Sequence, residues 1–395
     1  MSSSSSYDAL IVGAGPAGAA AAWALARTGR RVALVDRETF PRDKTCGDGL
    51  IPDSLGALET MGLRDAVARE AAVPRALRVY APNGRAVVLR GTFLCVPRLR
   101  LDALLVDAAI AAGAQLLAPL TALAPIEERG RVGGARFKHE DGERALRAPV
   151  TLLATGANAT AINAFGFTAP AKPNAVAGRA YFRVPADVAA DYPDLSIVYQ
   201  RSLCPGYGWI FPGPEGRYNI GVGFFSDGRR ATPSLHDLWL RFTTRFPPAR
   251  DLLARSEQLT EFRGAPLRTG LQDSPLGRPG VLLLGDAAAM TYPSTGEGIG
   301  KAMQSGLLAA RLVLEEDAAA VHASYDAEFR REYQSRYRAY RTAQAWSSRP
   351  WLLNLLAARA NAGRFVRDEL EALVAETGNP LRLFSVTGIL RAAFR

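Results

Sequence analysis

Residues 7–29, YDALIVGAGPAGAAAAWALARTG, constrain the fold more than any other part of the chain. An apolar run ending at Val12 gives way to Gly13, Gly15 and Gly18, spaced G-x-G-x-x-G, and then to an alanine-rich run that Gly29 ends. That order predicts strand, tight turn and helix. A turn of this kind aims free backbone amides and a helix N-terminus at an anionic group, with Pro16 and Ala17 opening the helix. A second apolar run, RVALVD, ends in Asp36 followed by Arg37. Its carboxylate stands roughly 20 residues beyond the glycines, where it can bind a ribose hydroxyl. The expectation is a Rossmann-type unit that binds a dinucleotide.

A distant block completes the reading. In LLLGDAAAMTYPSTGEGIGKAMQSG, from Leu282 to Gly306, a buried strand ends at Gly285 and Asp286, and a loop through Gly296 and Gly298 leads into a helix opening at Ile299. A carboxylate at the carboxyl edge of a sheet and free amides at a helix start suit a ribityl chain and an electron-rich ring edge. Between the two blocks, from about 178 to 262, lie short alternating pieces such as AYFRV, SIVYQ, GWIFP and YNIGVGFF, separated by proline and glycine. These predict an antiparallel sheet. The expected organisation is α/β, or α+β overall: a Rossmann-type part over 1–177, an inserted antiparallel β-sheet lobe for substrate over 178–265, a second cofactor block over 266–312, and a helical C-terminal region over 313–395.

With these motifs in place, the chain resembles the flavoprotein superfamily of aromatic hydroxylases, squalene epoxidases and geranylgeranyl reductases. Two further segments point to the geranylgeranyl reductase family: PRDKTCGDGL, from Pro41 to Leu50, and PGYGWIFP, from Pro205 to Pro212, which looks like that family's P-x-x-Y-x-W-x-F-P motif. The resemblance runs through most of the first 310 residues. It implies FAD held by Gly13, Gly15, Pro16, Ala17, Gly18, Asp36 and Arg37, by the loop Cys46, Gly47, Asp48 and Gly49, by Arg98, and by Gly285, Asp286, Gly296, Gly298 and Ile299. It also implies reduction of an isoprenoid C=C bond by hydride transfer from reduced FAD. The alternative on the same fold is a monooxygenase or epoxidase acting on an aromatic or terpenoid substrate. There is no second G-x-G-x-x-G after a strand, so the reductant is expected to be a transiently bound NAD(P)H or a protein donor.

In PGYGWIFP, Tyr207, Trp209 and Phe211 fall on one face of a strand. They fit either an aromatic wall for a long apolar substrate or ordinary β-lobe packing. Cys46 fits either a proton donor or flavin-tuning thiol, or a small packing residue. His139, His236 and His322 fall outside every motif.

The bulk numbers narrow the partners. Lys and Arg total 48 against 38 Asp and Glu, a formal net charge of +10, without a basic run or interleaved aromatics that would suggest nucleic acid. Cys46, Cys95 and Cys204 have neither metal spacing nor an even disulfide count, so reduced thiols are expected. The serine-rich opening lacks a basic n-region, and no stretch approaches the ~18 apolar residues that span a bilayer. A cytoplasmic protein with at most peripheral membrane contact is expected. For that contact the candidates are Trp346, Trp351, Leu352, Leu353, Leu355 and Leu356 among Arg338, Arg341, Arg349 and Arg359, split into two helices by Pro350.

Overall fold

The computed structural model describes residues 5–167, 173–226, 233–271 and 273–394; the serine-rich opening up to Ser4 lies outside them. The strand Ala9–Val12 is buried along its whole length, as a strand covered on both faces must be. It pairs in parallel with Val32–Val35 on one side and Thr151–Leu153 on the other. Gln115–Leu117 and Val281–Leu283 extend the parallel sheet outward, and Gly277–Arg278 closes one edge antiparallel. The two motif blocks, far apart in sequence, thus end at the same carboxyl edge of one six-stranded sheet.

The helix Pro16–Ala26 leaves the first strand almost entirely buried, and Ile299–Glu315 packs along it. Small residues permit the approach: a Cβ at Gly306 would stand 2.2 Å from the Ala17 carbonyl oxygen. Two helices follow the second strand, Pro52–Thr60 and Arg64–Arg69. The Gly62 amide bonds the Glu59 carbonyl at 2.9 Å and the Leu63 amide bonds Leu58 at 2.9 Å, a glycine-terminated helix end.

The second sheet has eight strands and is wider than the 178–265 block. Its centre is antiparallel, with Ala175–Arg183, Arg217–Phe225, Gly206–Pro212 and Leu195–Val198 in succession. Leu77–Tyr80, from the N-terminal part of the chain, then pairs in parallel with Leu195–Val198 and carries Ala86–Leu89. A third sheet, Thr121–Glu128, Arg131–His139 and Gly142–Arg147 with Ser5–Ser6 at its edge, has no counterpart in the sequence reading.

Beyond Glu315 the described chain is helical: Val321–Ser347, Pro350–Ala362, Arg364–Val374 and Val386–Phe394. Pro350 begins the second of these, where its missing N–H costs nothing. The interfacial segment expected here is corrected in part. Leu352 and Leu356 are buried and pack with Ala357 and Ala360 against Leu77, Val87, Leu89 and Phe93, so they form a cap on the second sheet. Trp346 is half-buried beneath the Arg349 guanidinium, at 4.2 Å from its ring centre. Trp351 alone of the two tryptophans is exposed. No helix among the described residues is long and apolar enough to cross a membrane.

Candidate active site

One cavity of about 630 Å³ runs from the glycine turn to the second sheet, and every residue expected to bind cofactor or substrate except Gly18 lines it. Gly18 lies beneath the turn, where a Cβ would stand 1.8 Å from the Gly13 carbonyl oxygen. At Gly13 a Cβ would meet the Ala154 carbonyl oxygen at 2.3 Å, and φ is +105°. These two glycines build the turn itself. Gly15 is different: its nearest neighbour would be the Arg42 guanidinium at 3.7 Å, so the room above it is open. The helix start behind it has no side-chain cap and no acidic residue in its first turn, so its amides and dipole are free for an anion.

Asp36 is tied to this turn. It accepts from the Ala14 amide at 2.7 Å through one oxygen and from the Glu38 amide at 3.0 Å through the other. Asp36→Ala removes both bonds and a cavity-facing carboxylate together. The expected result is folded protein that sheds flavin on desalting where wild type keeps it, read by absorbance.

Two cations at the pyrophosphate end were not singled out from sequence, although both stand in PRDKTC. Arg42 reaches Asp102 at 2.9 Å, and Lys44 Nζ lies near Gly156. Burial, and next the Arg98 guanidinium, lower the Lys44 ammonium from its ordinary value. A bound pyrophosphate would supply the missing counter-charge. Arg98 itself is buried and grips Asp102 through two bonds of 2.7 Å, while its backbone N–H donates to Asp48 at 3.3 Å. Arg98 lines the cavity, with its guanidinium committed to Asp102 and its backbone N–H to the Cys46–Gly49 loop.

At the far block, Thr291 donates to Asp286 at 2.5 Å, and a Cβ at Gly298 would stand 2.3 Å from the Thr291 hydroxyl. Gly298 leaves the N-terminus of Ile299–Glu315 without a side-chain cap. Open amides at two helix starts, Asp36 and Asp286 at two strand ends, and open space above Gly15 together fit an FAD molecule laid across the edge of the parallel sheet.

Against this edge stands the aromatic wall. Tyr207, Trp209 and Phe211 form a continuous row with Phe225, with centroids 5.9 to 6.3 Å apart. Trp209 is 5% exposed and rests on Gly221, and it also borders the cavity, a position compatible with either reading of the row. Its Nε1 donates to Asn219 Oδ1 at 2.8 Å. Asn219 in turn donates to the Cys46 carbonyl at 2.7 Å and to Asp48 at 2.8 Å, and the Tyr181 hydroxyl donates to Asp48 at 2.5 Å. Asn219 and Tyr181 were missed from sequence because each reads as one more strand residue. They lock the Cys46–Gly49 loop to the wall, with Phe211 packed at 3.4 Å from Cβ positions on Gly47 and Gly49. The Cys46 thiol accepts the Asp48 amide at 3.4 Å, a contact compatible with either reading of that cysteine.

Burial pushes the Asp48 carboxyl up from 3.8 to about 6 against the opposing pull of its Tyr181 and Asn219 bonds. An unfolded chain then ionises at this position before the folded one, so stability falls as pH rises between those values and stays level above them. The displacement corresponds to ~3 kcal/mol. Urea unfolding of wild type and Asp48→Asn at pH 4 and pH 7 checks it; wild type is expected to lose stability relative to the variant at the higher pH.

The FAD binding domain family model matches residues 6–336. The digeranylgeranylglycerophospholipid reductase 2 of Methanopyrus kandleri is 31% identical over 346 residues, covering 84% of this chain and 82% of that protein. The menaquinone reductase of Mycobacterium tuberculosis is 35% identical over 333 residues, covering 81% and 79%. The crystal structure of a geranylgeranyl bacteriochlorophyll reductase-like protein from Thermoplasma acidophilum shares the fold, with a TM-score of 0.78 over 98% of this chain and 96% of that one, at 24% identity. The phosphate turn, the Asp286 edge and the aromatic wall on one cavity, together with these matches, make the chain a member of the FAD binding domain family, in its geranylgeranyl reductase branch.

Proposed function

We propose that this protein saturates C=C bonds in the isoprenoid chain of a prenyl lipid. The observation that carries the reading is the far end of the cavity. Past the aromatic wall it is bounded by Leu77, Phe93, Leu195, Ile197 and Val374, an apolar extension of the chamber that holds the phosphate turn. A pocket with a charged nucleotide end and an apolar end suits a cofactor and a methyl-branched isoprenoid chain together. Menaquinone and digeranylgeranylglycerophospholipid, named for the two relatives, both carry such chains.

When bound, reduced FAD supplies the hydride for such a reduction. The chain's own residues do the remainder. Gly15, Arg42 and Lys44 receive the pyrophosphate, and Asp36 and Asp286 take ribose and ribityl hydroxyls. Tyr207, Trp209 and Phe211 hold the alkene flat and exclude water. An isolated alkene offers no carbonyl to polarise, so close placement carries most of the catalysis. The reductant is a transiently bound nicotinamide or a protein donor. Peripheral contact with a bilayer is made by the exposed Trp351 and by Val386, Leu390 and Phe394, which stand exposed four residues apart on the last helix.

Dithionite-reduced protein incubated anaerobically with each of the two lipids in detergent micelles, then read by mass spectrometry, tests the reading. The expected product is heavier by two hydrogens per reduced bond. A product heavier by one oxygen, formed only in air, would establish the monooxygenase alternative instead.

A further inference from the structure

Saturating an alkene needs a proton as well as a hydride, and the cavity holds a carboxyl group suited to give it. Glu297 lines the chamber from the loop between Asp286 and the helix Ile299–Glu315. That loop is stiff. The Glu297 carbonyl accepts the Tyr292 amide at 2.8 Å, the Gly296 amide bonds the Tyr292 carbonyl at 3.1 Å, and the Tyr207 hydroxyl donates to the Thr295 carbonyl. The last bond joins the loop to the aromatic wall.

Behind Glu297 lies a buried cluster in which its charge has no place. Lys301 sits 3.2 Å from Asp53 and 3.8 Å from Glu376, and Arg336 sits 2.9 Å from Glu376. The two cations are engaged by two other carboxylates. Tyr199, Tyr207 and Tyr340 lie close enough to interact with the Glu297 charge. A third negative charge in this cluster would be repelled by Glu376 and Asp53, while Lys301 already serves those two carboxylates. Burial, then Glu376 and Asp53, accordingly hold the Glu297 carboxyl well above its ordinary value despite the attraction of Lys301.

The other cavity carboxylates are committed as acceptors or ion partners. Asp48 receives Tyr181, Asn219 and the Arg98 amide; Asp53 faces Lys301; Asp286 receives Thr291; Asp36 receives two amides; Asp43 pairs with Arg179 at 2.6 Å and Glu38 with Arg37 at 3.5 Å.

We propose that Glu297 is the general acid of the reaction, giving its carboxyl proton to one alkene carbon while the other takes the hydride. The π pair of the alkene forms the new C–H bond with the Glu297 proton, and the hydride pair forms the second. The carboxylate left behind regains its proton from water. The two electrons come from reduced FAD, which ends oxidised. The proposal rests on the alkene-reductase reading above.

Glu297→Gln keeps size and polarity but has no acidic proton. Two measurements test it. Infrared spectra of the protein without cofactor, near neutral pH, are expected to contain the carbonyl band of a protonated carboxylic acid that Glu297→Gln lacks. In anaerobic single turnover with digeranylgeranylglycerophospholipid or menaquinone micelles, flavin content and dithionite reduction are expected to match wild type. Oxidation of the reduced flavin by the lipid is expected to slow on the order of 10²–10⁴-fold. Glu297→Asp, which keeps the acid at shorter reach, should recover part of the loss and shows the same result if the Gln variant sheds its flavin. Wild type should also slow as pH rises through the Glu297 ionisation, a limb that Glu297→Gln lacks. An unchanged infrared band, or a Gln variant whose flavin the lipid oxidises within about threefold of the wild-type rate, overturns the assignment. Wild-type protein that yields no hydrogenated lipid overturns the function itself.

Discussion

Gly15→Val is expected to give colourless protein that is otherwise folded. The distinction from its neighbours makes the outcome specific. At Gly13 or Gly18 a side chain would drive into a backbone carbonyl at 2.3 or 1.8 Å, so a substitution there breaks the turn and says little about a ligand. At Gly15 the backbone has φ −74° and ψ −173°, values any residue adopts, and the nearest atom above is the Arg42 guanidinium at 3.7 Å. A valine there fills the volume where a pyrophosphate oxygen would approach the amides of Pro16–Ala26. Reconstitution with FAD followed by desalting is expected to leave about one flavin per chain in wild type and close to none in the variant. Far-ultraviolet circular dichroism should not change. A yellow Gly15→Val protein would remove the phosphate-loop assignment.

Trp209→Ala is expected to keep flavin and lose turnover of the prenyl lipid by about two orders of magnitude, the scale set by misplacing reacting groups by an ångström. Trp209 spans the gap between Gly221, whose added Cβ would stand 2.3 Å from its ring, and the cavity. It also terminates the bond chain through Asn219 to Asp48 and the Cys46 carbonyl. Removing the indole opens the wall and leaves Asn219 Oδ1 without its donor, at a cost of about 3–5 kcal/mol in stability. Trp209→Phe separates the two contributions: it restores apolar bulk but not the Nε1 bond. Turnover recovered by Phe assigns the effect to the wall, and turnover still lost assigns it to the Asn219 chain. Loss of flavin from Trp209→Ala would mean that the residue is chiefly packing.

How far residues announced their roles depends on how local the cause is. Strand, glycine turn and helix at 9–26 and the strand at 281–283 follow from neighbouring residues alone, and they appear where the pattern puts them. The hairpins of 121–147 stayed hidden because their exposed charges and a bulge between Val132 and Ala135 break the alternation. The parallel pairing of Leu195 with Leu77 carries no local signal, which is why the second sheet outgrew its expected limits. Asn219 and Glu297 look ordinary in the sequence; only the partners brought to them from Asp48, Trp209, Lys301 and Glu376 make them unusual. Leu352 and Leu356 looked like membrane-facing residues because apolar bulk beside arginine reads the same whether a bilayer or a sheet covers it.

The strand order of the parallel sheet bears on how the protein is made. Thr151–Leu153 is completed on one side by Ala9–Val12, but its other neighbour, Val281–Leu283, leaves the ribosome some 130 residues later. At synthesis rates of about 5–20 residues per second, that interval lasts on the order of ten seconds. Throughout it the nascent sheet carries an apolar open edge of the kind that recruits other chains. The helix Ile299–Glu315, which covers Pro16–Ala26, arrives later still. Half of the flavin cradle therefore exists long before the other half, and the finished cradle forms only when the chain is more than three-quarters translated.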